Sequence, residues 1–209
     1  MHSRAVNHLR AQDPRLAEWI DRIGMIQLPT RRPRDPFPAL LEAIAHQQLA
    51  GAAAKAIWNR VLNLFPEGRP DPHHLVALSD EHLRGAGLSR SKALSMKEIA
   101  SRALAGEVPD AKRIARMSEA QIVDQLTQIR GVGPWTVDML LIFTLRRPDI
   151  MPLNDYGVRK GYQVLYRKRK LPTPKQLLMS AERWRPYRTT AALYLWRIAD
   201  APKASKITS

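Results

Sequence analysis

The sequence predicts an all-α fold, on three observations. Apolar residues recur at helical spacing, no alternating run competes with them, and sixteen prolines cut the chain into helix-sized pieces. In chain order, Pro29 to Pro38 carries four prolines and four Arg/Asp charges and reads as an extended connection. Phe37, Leu40, Leu41, Ile44 and Ala45 form the first stripe. Ala54, Ile57, Trp58, Val61, Leu62 and Phe65 form the next, at i, i+3, i+4, i+7, i+8 and i+11. Ser118 with Gln121 is a capping-box pattern opening the stripe Ile122, Val123, Leu126 and Ile129. Trp135 to Leu145 is apolar nearly all round, which predicts a central buried helix. Leu177, Leu178, Ala181 and Trp184, followed by Leu195 and Ile198, complete a set of about nine or ten helices.

A chain of 209 residues with 44% hydrophobic content can bury one large core or two small lobes. No apolar run approaches the ~18 residues of a membrane span. The N-terminus, with His2, Arg4, His8 and Arg10, lacks the apolar stretch of a secretory signal. A cytoplasmic location without a membrane partner is therefore expected. Cysteine is absent, which excludes disulfides, thiol nucleophiles, Cys-ligated zinc and a thiolate-held iron–sulfur cluster. The six histidines show no metal-ligand spacing, and His73–His74 after Asp71–Pro72 reads as a solvated helix start. Net charge is +15, an excess that a polyanion would offset. The charge is concentrated. Arg159 to Arg188 holds ten basic residues and one acid, Glu182, beside aromatic residues, as a phosphate-backbone surface does. A generally basic, solvated surface is the competing reading.

The most informative stretch runs from Leu126 to Thr136. A periodic helix enters Gly131-Val132-Gly133, and Pro134 then suits the first turn of the next helix. Two glycines one residue apart permit positive φ and a close backbone approach to a ligand. The following helix start offers N–H groups and a positive dipole end, so Gly131, Gly133, Pro134 and Thr136 are the candidate phosphate-binding residues. A C-cap followed by a tight turn would explain the glycines alone.

With these residues the chain resembles the helix-hairpin-helix DNA glycosylases, in the 3-methyladenine DNA glycosylase II branch. The resemblance rests on Leu126–Asp138, on Pro152-Leu153-Asn154-Asp155-Tyr156-Gly157-Val158-Arg159-Lys160, on Ala45-His46-Gln47-Gln48-Leu49, and on Leu83 to Lys92. It implies a two-lobed helical glycosylase fold with a helix-hairpin-helix motif, lacking the N-terminal β domain of larger relatives. The expected organisation is an N-terminal helical segment and linker (1–35) packing on the second lobe. A glycosylase core (36–201) follows, with the active-site cleft between its two lobes, and then a frayed tail (202–209). The resemblance also implies a structural Na+ or K+ on the hairpin carbonyls of Thr127, Ile129 and Val132. No further cofactor is expected.

Asp155 lies twenty residues beyond Trp135. Locally it is an ordinary helix N-cap. The resemblance places it at the family's catalytic aspartate, where a fixed carboxylate stabilises an oxocarbenium-like sugar or activates water. Asn154 stands where close relatives often carry a second Asp. Trp135 occupies the position where bifunctional relatives have a Schiff-base lysine, so no lyase step is expected. A Trp there can stack on a flipped, electron-poor base, and a plain core aromatic is the alternative. Trp196 matches a second aromatic wall of the base pocket, and Met139 stands where relatives can have Tyr. Gln48, a polar residue that continues the Leu41, Ile44 and Ala45 stripe, matches, with Leu49 as second choice, the wedge that fills the gap left by an extruded base. An exposed helix-end amide is the bland reading of Gln48. The function implied is a monofunctional, monomeric DNA glycosylase that acts on duplex DNA in base excision repair. Its expected substrates are alkylated purines such as 3-methyladenine and 7-methylguanine, with etheno-adenine and 1-methyladenine as further candidates. A non-catalytic helix-hairpin-helix DNA-binding module is the alternative.

Overall fold

Short Asp, Ser and Thr side chains start most of the helices by accepting a first-turn N–H, and proline often follows at the first helical position. The computed structural model describes residues 2–26, 35–49 and 51–201. Among these are thirteen α-helices and no strand. The count exceeds nine or ten because α5 (Pro72–Ala77), α6 (Asp80–Gly85) and α8 (Ala111–Arg116) have six residues each. So short a helix shows no apolar period, and only its cap (Asp71, Ser79 or Asp110) announces it. Part of the Pro29–Pro38 connection and the 202–209 tail lie outside the described residues. Pro36 and Pro38 are not in an extended segment but in the first turn of α3 (Pro36–His46), where Asp35 accepts the Phe37 N–H at 3.0 Å.

The chain forms two compact units, residues 31–146 and residues 1–30 with 147–209. In the first, α3 packs on α7 (Arg90–Leu104), which also carries α5. Leu40, Leu41 and Ile44 of α3 and Met96 and Ile99 of α7 are fully buried. Of the stripe on and just beyond α4 (Gly51–Leu62), Ala54, Trp58, Val61 and Phe65 are buried, whereas Ile57 and Leu62 are only half-buried at its margin. His74 is less solvated than its neighbour: Nε2 meets the Leu64 carbonyl oxygen at 2.9 Å and the ring lies 5.4 Å from Phe65. The capping box at Ser118 is present and starts α9 (Glu119–Leu126). The segment expected to be buried all round is instead α10 (Pro134–Met139) continued by a π-helical turn, Leu140–Thr144. Val137, Leu140, Leu141 and Ile142 are buried, Trp135 and Met139 only half, and Phe143 is 43% exposed. Apolar composition fixed what the helix is made of, not which faces the unit covers.

The second unit unites α1 (His2–Gln12) and α2 (Pro14–Ile23) with α11 (Tyr156–Leu165), α12 (Pro174–Ala181) and α13 (Arg188–Asp200). Leu9, Leu16, Ile20, Val158, Leu177, Trp184, Tyr194 and Leu195 share its core, whereas Leu178 is exposed and falls off the expected stripe. Buried Asp13 caps α2 and accepts the Trp184 indole N–H at 3.0 Å and the Tyr166 hydroxyl. Burial, then this hydrogen bond, pushes the Tyr166 phenol far above its ordinary pKa. Helices α11 and α13 cross so closely that a Cβ on Gly161 would stand 1.9 Å from the Leu195 carbonyl oxygen. Only glycine allows that approach.

Candidate active site

The loop leading to Asp155 is stapled to the start of α13. The Asp149 carboxylate takes the Arg188 Nε at 2.8 Å and its backbone N–H at 3.3 Å, and Arg185 Nη1 at 2.7 Å. The Thr189 backbone N–H donates to the Pro148 carbonyl at 3.0 Å. Its hydroxyl accepts the Ile150 N–H at 3.0 Å and donates to the Arg147 carbonyl at 2.6 Å. Asp149 thus does for α13 what a side-chain cap does elsewhere, satisfying first-turn donors with a negative charge at the positive end of the dipole.

Asp155 is the N-cap of α11, its Oδ1 accepting the Val158 N–H at 2.8 Å. The same oxygen accepts the Trp196 Nε1–H at 2.8 Å. Two donors from different helices therefore fix the half-buried carboxylate in one orientation. The local reading of this residue as an N-cap holds, and the capping carboxylate is at the same time a positioned one. Trp196, expected only as an aromatic wall, holds Asp155. Gly157 makes room for it: a Cβ there would lie 2.7 Å from Trp196 Cδ1 and 3.2 Å from Asp155 Oδ1. Sequence reasoning passed over Gly157, although glycines at 157 and 161, one turn apart, mark a helix face meant for close approach.

In the other unit, α9 runs into the hairpin through a turn in which the Val132 N–H donates to the Ile129 carbonyl at 3.0 Å. Gly131 has φ +80°, and a Cβ there would meet Ser95 Oγ at 2.1 Å, so glycine is required on both counts. Gly133 differs from the expectation. It caps α10 in extended backbone, φ −95°, and nothing lies within 4 Å of where its Cβ would be. That local space suits approach by a ligand. Thr136 is buried, and its hydroxyl accepts from Gln47 Nε2 at 2.9 Å, so its side chain is engaged within the unit. Trp135 and Met139 are one turn apart on the partly exposed face of α10.

The wedge candidates sit where α3 stops. Gln48 does not continue the Leu41–Ala45 stripe, because α3 ends at His46 and Gln48 adopts φ +55°. Left-handed backbone in a non-glycine residue is strained, and here it presents Gln48 and Leu49 to solvent. Lys92 Nζ closes the end of α3, donating to the Ala45 and Gln47 carbonyls at 2.9 and 2.8 Å. Burial pulls the Lys92 ammonium below its usual pKa. Neither Lys92 nor Gln47 was distinguishable by sequence as a structural tie.

The basic stretch divides in two. Arg185 and Arg188 are paired with Asp149 and Glu182, Arg159 Nε donates to the Pro172 carbonyl at 2.8 Å, Lys160 Nζ donates to Gln163 Oε1 at 2.8 Å, and Arg183 lies over the Tyr166 ring. Arg167, Lys168, Arg169, Lys170 and Lys175 are all exposed. They are the part of the stretch available to an external polyanion.

A glycine hairpin between helices, a carboxylate set at a helix start and an exposed basic loop define a helical protein built to handle a phosphate backbone. The chain belongs to the HhH-GPD superfamily of base excision DNA repair proteins, whose sequence profile matches residues 41–186. It is 37% identical over 207 residues to DNA-3-methyladenine glycosylase 1 of Schizosaccharomyces pombe, covering 98% of this chain and 90% of that protein. The solved structure of the S. pombe 3-methyladenine DNA glycosylase in complex with abasic DNA superimposes with a TM-score of 0.90 at 36% identity. That match covers 96% of this chain and all of the other. A DNA-3-methyladenine glycosidase from Bacillus halodurans matches with a TM-score of 0.78 at 35% identity, over 93% and 88% of the two chains. Among the described residues, no helix is long and apolar enough to cross a membrane.

Proposed function

We propose that this protein is a monofunctional DNA glycosylase that extrudes alkylated purines, 3-methyladenine and 7-methylguanine first among them, and hydrolyses their N-glycosidic bond. The observation that carries this reading is the Asp155 carboxylate, locked by Val158 and Trp196 in a chain of this family. As the C1′–N bond breaks, its electron pair leaves with the base, and positive charge grows on the sugar. A carboxylate already oriented stabilises that charge without reorganising. Water then adds to C1′ and releases a proton, which Asp155 or solvent accepts. An alkylated purine departs from a cation to a neutral base, so one acid group suffices. Trp135 supplies a π face for the electron-poor base and no amine, so the sugar is left as an intact abasic site.

Gln48, with Leu49 beside it, fills the space left by the extruded base, and Gly131, Gly133, Pro134 and Thr136 receive a backbone phosphate. The carbonyls of Thr127, Ile129 and Val132 would hold a Na+ or K+ ion. The donor set suits such an ion, being neutral main-chain oxygens within six residues, of which the Ile129 oxygen also accepts the Val132 N–H at 3.0 Å. Such an ion would add positive potential where the phosphate docks. The working place is the chromosome, in the cytoplasm. Incubation with methylated duplex DNA tests the reading: free 3-methyladenine and 7-methylguanine should appear, with strand breaks only after alkali. Tight duplex binding with no base released from any alkylated substrate would leave a binding module instead.

A further inference from the structure

The Gln47 side chain ties the end of α3 to the hairpin. Its amide nitrogen has two N–H groups, and both are used: one donates to the Gly131 carbonyl at 2.8 Å, the other to the Thr136 hydroxyl at 2.9 Å. The carbonyl can only accept, so the amide must present its nitrogen here. These partners lie 84 and 89 residues away in sequence, on either side of the open Gly133. Gln47's own main-chain carbonyl is held by Lys92 Nζ at 2.8 Å. Ser95, one turn further along α7, sits against Gly131. The backbone step after Gln47 is the strained one, with Gln48 at φ +55° and exposed.

We propose that Gln47 is a positioning residue that keys the Gln48–Leu49 loop to the Gly131–Thr136 hairpin, so that the element entering the base stack and the element gripping the phosphate are held in one register. The proposal rests on the glycosylase reading for the two roles it joins. A loop held at left-handed φ relaxes unless its surroundings over-determine it. Here the Lys92 clamp on the main chain and the amide clasp on the hairpin do so together. Flexible loss of that register would weaken binding where both elements must engage, at a lesion or abasic site. Undamaged duplex, held chiefly by charge, would be affected little.

The test is binding, read by fluorescence anisotropy, of an abasic-site duplex and an intact duplex of the same sequence at one salt concentration. Gln47→Leu should weaken abasic-duplex binding about tenfold, as expected for two lost hydrogen bonds with stranded partners, and leave intact-duplex binding within about twofold. Gln47→Glu keeps the shape. At pH 8 its carboxylate faces the Gly131 oxygen and should behave like Leu. At pH 5 a protonated acid can donate to that oxygen and should recover most of the discrimination relative to wild type at the same pH. Mere filling of space would show no such pH dependence. Full discrimination in Gln47→Leu, equal behaviour of Gln47→Glu at the two pH values, or a wild type with no preference for the abasic duplex overturns the proposal. Because the readout is binding, a wild type that prefers abasic DNA but releases no base refutes the glycosylase reading alone.

Discussion

Replacing Gly157 by alanine should separate catalysis from stability at the Asp155 site. The new Cβ would lie 2.7 Å from Trp196 Cδ1, where ordinary contact begins near 3.4 Å, so the indole must retreat by about 0.7 Å. The obstacle is a half-buried side chain rather than backbone, and it can move. Its hydrogen bond to Asp155, 2.8 Å in the native arrangement, would then stretch to the edge of a useful bond. In the opposite direction, alanine is better than glycine in a helix by roughly 0.5–1 kcal/mol. Net stability should therefore change by less than about 1 kcal/mol in urea unfolding. A charge-assisted hydrogen bond contributes about 1.5–3 kcal/mol, and losing much of it at the reacting carboxylate should slow single-turnover base release about tenfold. Trp196→Phe, which keeps a ring and deletes the donor, should show a loss of similar size. An unaltered release rate in both variants would refute the view that Trp196 orients Asp155.

Gly161→Ala should behave differently, because its Cβ meets the Leu195 backbone at 1.9 Å and two helices must part. A loss of about 3 kcal/mol or more in urea denaturation is expected, at the upper end of overpacking effects. Gln48→Gly should stabilise the fold by up to about 1 kcal/mol by relieving φ +55°, while weakening abasic-DNA binding. A gain or loss on both measures together would contradict that assignment. Tyr166, whose pKa is raised by burial and by Asp13, contributes stability that is intact below about pH 10 and declines as pH rises beyond it. Thermal melts across pH 8–11 should show this decline, and Tyr166→Phe should flatten it.

The sequence made the local features legible. Apolar stripes located α3, α4 and α9, the Ser118 capping box was present as read, and the hairpin lay where Gly-Val-Gly placed it. Asp155 was visible as a cap, and family likeness singled it out as the candidate carboxylate. What stayed hidden depends on distance along the chain. Nothing near Asp155 announces Trp196 as its donor 41 residues on, and nothing near Asp13 announces Trp184 171 residues away. Face selection was also beyond reach. The Trp135–Leu145 segment is apolar in every direction, so only the packed unit reveals that Phe143 remains exposed. Gln47 and Gln48 look alike in sequence, and a single positive φ separates the clasping residue from the presented one. The basic stretch gave the right sign of charge but not its division, since Asp149 supplies the carboxylate that engages Arg185 and Arg188 from outside the stretch.

The central claim is that the charge on Asp155 performs the chemistry, and Asp155→Asn isolates it. Asparagine caps helices as well as aspartate, and its Oδ1 can keep both the Val158 and Trp196 hydrogen bonds. The fold and the abasic-DNA affinity should therefore remain close to wild type. Single-turnover release of 7-methylguanine from methylated duplex should fall by about 100-fold or more, as for removal of a principal electrostatic stabiliser. Release by Asp155→Asn within a few-fold of wild type would contradict the account at its centre.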